Sequence, residues 1–204
     1  LTTIKASAQT FLSKETKLHV LFNNAGVMTP PQGSKTAQGY ELQLGTNTLA
    51  PFLFTKLLTP LIISTAASEP PNTVRVIWVS SSAAELAAPK GGLEISNLDY
   101  HKEESPSTKY GVSKAGNYFH AVEYARRYRE QGVLSVALNP GNLKTDLARH
   151  KSKLFVLAIK WMVSPPIYGA YTEIFAAFSS DVKPEMEGNW GRFAGICFSG
   201  RNER

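Results

Sequence analysis

The 204-residue chain has a single cysteine, Cys197. No internal disulfide can form, and a reducing, cytoplasmic setting is the expected one. Long apolar runs free of charge are missing as well. The longest, LFVLAIKWMV at 154–163, holds Lys160 and is too short to span a bilayer. No signal-peptide pattern opens the chain, and no metal-ligating cluster is read. The net charge is +6, but the basic residues are scattered. Two small clusters, Arg126, Arg127 and Arg129 and then His150, Lys151 and Lys153, have no interleaved aromatics. Nucleic acid is therefore not an expected partner. An initiator methionine is absent too. LTTIKASAQTFLSKETK starts inside an amphipathic helix with Ile4, Ala8, Phe11 and Leu12 on one face, as expected of the remainder of a longer chain.

What is present is an ordinary globular composition, 43% hydrophobic, of a length that suits one domain over 1–204. HVLFNNAG, at 19–26, is a short apolar run ending in turn residues and reads as a buried strand. LQLGTNTLAPFLFTKLLTPLI is helical in spacing, with Pro51 marking a kink or late start and Pro60 its expected end. TVRVIWVSSS, at 73–82, is a second strand whose unbroken apolar pattern suits a sheet covered on both faces. Residues 83–109 read as irregular, and 110–131 as a helix stopped by Gly132. VLSVALNPG, at 133–141, is the third strand. Ser164 is expected to cap a further helix with Pro165 in its first turn, and GRFAGICF at 191–198 reads as a last strand. Alternating strands and crossover helices predict an α/β fold: a Rossmann-like parallel sheet with helices on both faces. Ligands in such folds bind at the carboxyl ends of the strands, which directs attention to 23–26, 80–82 and 140–145.

The side chains near those ends suggest acid–base chemistry. Tyr110 and Lys114 share a helix face four positions apart. A phenol is a poor proton donor or acceptor at neutral pH, and a neighbouring ammonium would lower its pKa. Ser81, at a strand end, could hold a substrate oxygen while the tyrosine moves the proton. Asn47, within the long helix, could bond a backbone carbonyl or a water that feeds protons to Lys114. With a hydride carrier alongside, such a group would interconvert an alcohol and a carbonyl. Each residue alone has a plainer reading as a surface pair, a turn hydroxyl or a bent-helix polar group. Their order along an α/β chain is what gives the set its weight.

That order resembles the short-chain dehydrogenase/reductase family, and within it the retinol-dehydrogenase-like and fungal carbonyl-reductase-like members. The resemblance runs from residue 1 to about residue 200. NNAG at 23–26 looks like the family's motif after its fourth strand and would place Asn23, Ala25 and Gly26 against the cofactor. Asn47 falls where the family has its active-site asparagine. Ser81 matches the catalytic serine, with Ser82 an alternative register. YGVSK looks like the family's Tyr-x-x-x-Lys, giving Tyr110 and Lys114 both catalytic and cofactor-binding roles. NPGNLKT at 139–145 looks like the loop that passes the nicotinamide, with Pro140, Gly141, the Leu143 backbone and Thr145 in contact with it.

The chain departs from the family in lacking the strand, glycine-rich turn and helix that cradle a pyrophosphate. The first strands of the sheet are therefore missing from this sequence. The resemblance implies an NAD(P)(H)-dependent oxidoreductase acting on a lipophilic secondary alcohol and ketone, or an alcohol and aldehyde, with NADP(H) favoured over NAD(H). A truncated, non-catalytic binding or regulatory protein of the same fold is the alternative. The long interval between Ser81 and Tyr110 resembles the retinol-dehydrogenase-like subgroup. Leu154, Phe155, Leu157, Ile159, Trp161 and Met162 either line an apolar substrate pocket or pack a helix on the core. Membrane-surface contact, suggested by basic residues around that run, is not the expected outcome. The helices at 45–60 and 110–131 carry apolar residues on more than one side: Leu49, Phe52, Leu53 and Phe54, and Tyr118, Phe119 and Tyr124. A homodimer that buries them is expected.

Overall fold

The computed structural model describes residues 1–150 and 160–186. Three strands, β1 (Val20–Asn23), β2 (Val74–Val79) and β3 (Val133–Leu138), form one parallel sheet in the order β1-β2-β3. Phe22 lies opposite Ile77, and Ile77 opposite Val136. Every residue of β2 and β3 is buried, because side chains alternate between two covered faces. On one face Leu21, Val76, Trp78 and Ala137 pack with Leu58, Ile62, Ala121 and Tyr124. Those partners come from α2 (Ala50–Ala66) and α4 (Pro106–Tyr128), with α1 (Thr2–Leu12) packed beside α2. On the other face Ile77, Val79, Val136 and Leu138 pack against Ala176 and Ala177 of a helix over Pro166–Phe178, here α5. α3 is a single turn, Ala83–Leu86.

Pro60 and Ser164 do not mark the helix boundaries the sequence reading expects, and α4 starts at Pro106 rather than at 110. The late start at Pro51 is one of the two outcomes that reading allows. Pro60 does not end α2, which runs to Ala66. The carbonyl that Pro60 leaves without an N–H partner belongs to Lys56, and both residues face solvent, where water serves instead. Before Pro51 the chain makes a π-helical stretch, Leu44–Leu49, so the α-helix proper starts late, with the proline in its first turn. Ser164 does not cap α5. Its N–H donates to the Asn142 carbonyl (2.8 Å) and its carbonyl accepts from Lys144 (2.9 Å), a parallel bridge that takes it out of the capping position. The stop at Gly132 is a left-handed residue, φ 81°, after a short 3-10 turn.

A buried arginine joins the sheet to α5. Arg75 of β2, 5% exposed, donates to the carbonyls of Ala176 and Ser179 at 2.9 Å each and of Asn72 at 2.8 Å. It supplies donors and a positive charge where the last carbonyls of a helix need both. Residues 44–66 form a helical stretch long and apolar enough to cross a membrane, but here Leu58 and Ile62 pack it on the sheet. The expected strand at 191–198 and the pocket residues Leu154, Phe155, Leu157 and Ile159 lie outside the described residues. Trp161 is 83% exposed and Met162 51%. Tyr124 is a core residue bonded to Thr59 (3.1 Å) and does not face outward, whereas Phe52 and Phe119 remain substantially exposed.

Candidate active site

Tyr110 and Lys114 stand in the first turns of α4, whose start is fixed by Ser105, its hydroxyl accepting from the Thr108 N–H at 3.0 Å. Both are buried against the end of β2. Burial raises the Tyr110 phenol above its ordinary pKa, and the nearby Ser81 side chain pulls it back. The Lys114 ammonium lies 5.9 Å from the centre of the Tyr110 ring, but it donates to the Val79 carbonyl at 2.9 Å. Ser81 is thus a neighbour that lowers the phenol, against the effect of its burial. Burial draws Lys114 itself down to about 8, opposed by the charge of Glu173 on α5.

Ser81 sits between β2 and α3. Its hydroxyl accepts from the Ala83 N–H at 3.2 Å, while Ser80 turns inward and donates to the Lys114 carbonyl at 2.5 Å. Ser82 opens α3. The strand end thus holds two consecutive serines with opposite duties: one ties down α4 and one meets the tyrosine.

Asn47 is completely buried in the π-helical stretch. Its carboxamide accepts from the Val27 N–H (2.8 Å) and donates to the Val27 carbonyl (2.8 Å) and the Ser113 hydroxyl (2.9 Å). It binds the loop after β1 as a neighbouring strand would, and its side chain has no donor left over for a proton chain. Pro51 gives no N–H to the Asn47 backbone carbonyl four residues earlier, the partner an unbroken α-helix would supply. Gly26 lies between Asn47 and Lys114. A Cβ there would come within 3.2 Å of the Asn47 Oδ1 and 3.6 Å of the Lys114 Nζ.

The other predicted contacts are spread along the same rim. Asn23 points into the core and donates to Thr55 at 2.9 Å. Ala25 is exposed, and Gly26 and Pro140 are half-buried. Gly141 has φ 90°, a conformation a side chain would strain, with its N–H on the Asn139 side chain at 3.1 Å. Leu143 is fixed by the bridge to Ser164 and by α5: its Cδ1 occupies the space a Cβ on Gly169 would need, at 2.2 Å. Thr145 is exposed and starts a 3-10 turn, Asp146–Ala148. Sequence reasoning missed Val27, Ser113, Gly169 and Glu173, and singled out Ser80 only as part of a strand end. Ser113, within YGVSK, had a signal in its position one turn after Tyr110; the others have only fold-dependent neighbours.

Parallel strands in sequential order, helices on both faces and polar groups gathered at the carboxyl ends define a Rossmann-like α/β protein. No family model matches the chain. It is 53% identical over 205 residues to a short-chain dehydrogenase/reductase of Phomopsis amygdali, covering 96% of this chain and 61% of that one. It is also 53% identical over 193 residues to another of Emericella nidulans, covering 93% and 62%. The chain belongs to the short-chain dehydrogenase/reductase family. It spans about three-fifths of the length of these curated relatives. Among solved structures, the fold is similar to the NADPH-bound carbonyl reductase from chicken fatty liver (TM-score 0.65, 24% identity, 92% of this chain and 68% of that one).

Proposed function

We propose that this chain carries the proton-transfer half of a nicotinamide-dependent oxidoreductase that interconverts lipophilic carbonyls and alcohols. The observation that carries the reading is the placement of the buried Tyr110 phenol close to Ser81 at the end of β2, with the Lys114 ammonium beside the ring. Ser81 orients a substrate oxygen, and Tyr110 gives it a proton during reduction or takes one during oxidation. Asn47 acts on this set through Val27 and Ser113, as a positioning residue.

The rim fits the nicotinamide end of a dinucleotide. Gly26 leaves open the space between Asn47 and Lys114, Gly141 takes a glycine conformation in the loop after β3, and Lys114 offers a buried cation. Asn23, Ala25, Gly26, Pro140, Gly141, Leu143, Thr145 and Lys114 would hold that end, and the cofactor when bound supplies the hydride. No glycine-rich turn for the pyrophosphate occurs in this sequence. The subgroup resemblance to retinol-dehydrogenase-like and fungal carbonyl-reductase-like members favours NADP(H) over NAD(H). Phe52 and Phe119, 45% and 39% exposed on neighbouring helices, support a homodimer through α2 and α4.

The test is turnover of an aromatic ketone by the intact protein with NADPH, and its loss in Tyr110→Phe. Phenylalanine keeps the ring and removes only the proton. The expected loss is about 100- to 10,000-fold, with NADPH affinity little changed. Retention of more than about a tenth of wild-type turnover would mean that another group carries the proton.

A second reading, a non-catalytic binding protein, draws support from the open edge of the sheet. Among the described residues no strand pairs with the outer edge of β1, and Phe22 there is 37% exposed. Failure of the isolated 204-residue chain to bind NADPH would favour it for this polypeptide.

A further inference from the structure

Gly111 follows Tyr110 directly and lies inside α4. Glycine is, with proline, the poorest helix former, so its place there calls for a local cause. The cause is contact. A Cβ at Gly111 would fall 2.5 Å from the Ala88 nitrogen, 2.7 Å from the Ala83 oxygen and 2.8 Å from the Ala87 carbonyl carbon. All three are backbone atoms, and real Cβ contacts essentially never come closer than 3.0 Å. No rotamer change relieves the collision; the segment itself must lift.

That segment is tied to Ser81 at close range. The Ala83 N–H donates to the Ser81 hydroxyl (3.2 Å) and the Ala84 N–H to the Ser81 carbonyl (3.0 Å). α3 is only four residues long and is bordered by alanines at 87 and 88, so small residues meet on both sides of the contact. We propose that Gly111 is a positioning residue that sets how closely Ser81 stands to Tyr110 by letting residues 83–88 lie directly on α4. The role rests on the catalytic reading given above. Lifting the segment carries Ser81 away from a hydroxyl it must approach to about 3 Å. Tyr110 then loses the partner that holds its pKa down.

The experiment compares wild type with Gly111→Ala, Ser81→Ala and the double variant. Tyr110 is followed by NMR titration of 13C-labelled tyrosine, its signal identified by loss in Tyr110→Phe. Turnover is measured with NADPH and acetophenone. The phenol is expected to titrate at higher pH in both single variants. Gly111→Ala should lower kcat about 100-fold, the scale of a misplacement near 1 Å, and cost nothing further in the Ser81→Ala background. An unchanged Tyr110 titration in Gly111→Ala, with a rise in Ser81→Ala, overturns the proposal. So does an additive loss in the double variant. The titration needs no turnover, so an inactive wild type defeats the enzymatic reading while the geometry is still decided. Should Gly111→Ala not fold, Ala87→Gly with Ala88→Gly loosens the same segment without a collision. A raised Tyr110 titration there supports the role, and an unchanged one overturns it.

Discussion

The two sides of the candidate site are built differently. Around Tyr110, Asn47 and Lys114 the side chains are buried, Asn47 is fully bonded, and helices touch through glycines. Gly116 of α4 leaves room for Thr48, whose Cγ2 would lie 2.5 Å from a Cβ there. Along 139–145, by contrast, Asn142, Lys144 and Thr145 are exposed, and the loop hangs on one bridge and one leucine. The Tyr110 side is therefore held by many ties and the rim by few. Preorganised donors and acceptors are worth most where charge develops, and a loop that must admit a large cofactor gains from fewer ties.

Several substitutions would break or sharpen that contrast. The largest effect after Tyr110→Phe is expected from Asn47→Ala. It strips three hydrogen bonds, leaving both polar groups of Val27 without partners, at a cost of about 3 kcal/mol. Thermal melting should fall steeply and ketone turnover should vanish together. A stable, active Asn47→Ala protein would show that the Tyr110 side is not held by this clamp.

His120 gives the next effect, and it depends on pH. Burial holds its imidazole down to about 4, against a smaller opposing effect of the Thr48 backbone, and its ring stacks on Phe52 at 5.1 Å. A histidine with a lowered folded pKa binds protons more readily when unfolded. Its neutral form therefore favours the fold above about pH 6.5, and stability is lost as pH falls from there toward about 4. The loss amounts to up to about 3 kcal/mol. Denaturant melts at pH 7 and pH 4.5 should differ less in His120→Gln than in wild type; an equal difference would remove His120 from the account.

On the rim, Gly169→Ala displaces only the tip of Leu143. Stability should move by less than about 1 kcal/mol, while NADPH affinity should fall about 10-fold, the equivalent of 1.4 kcal/mol. Isothermal titration and melting curves on the same samples separate the two. The smallest effect is expected from pH alone. Lys114 is held near 8, so its cation is present below that pH and lost above it. NADPH binding should weaken severalfold between about pH 7 and pH 9, and Lys114→Arg should flatten that slope.

How far the sequence made this legible follows from what each pattern encodes. The three strands and the parallel order were readable because β-branched runs ending in turn residues report burial on both faces. YGVSK and VSS were readable as neighbours of strand ends. Pro60 misled because a proline ends a helix only where its orphaned carbonyl lacks water. Ser164 misled because its backbone found a bridge to Leu143 before its side chain could cap. Least visible were the contacts of Gly111, Gly116 and Gly169. A missing Cβ announces nothing about which distant backbone or side chain fills its place.

Arg75 carries a consequence for the order of assembly. Its guanidinium meets carbonyls 101 and 104 positions further along the chain. Until α5 arrives, β2 holds a cation on an apolar face with those acceptors absent. Closing so long a loop is slow compared with pairing β1, β2 and β3, so α5 is expected to dock last and to leave first. The helix that supports Leu143 would then be the last part of the site to mature, and Arg75→Met should chiefly quicken its departure.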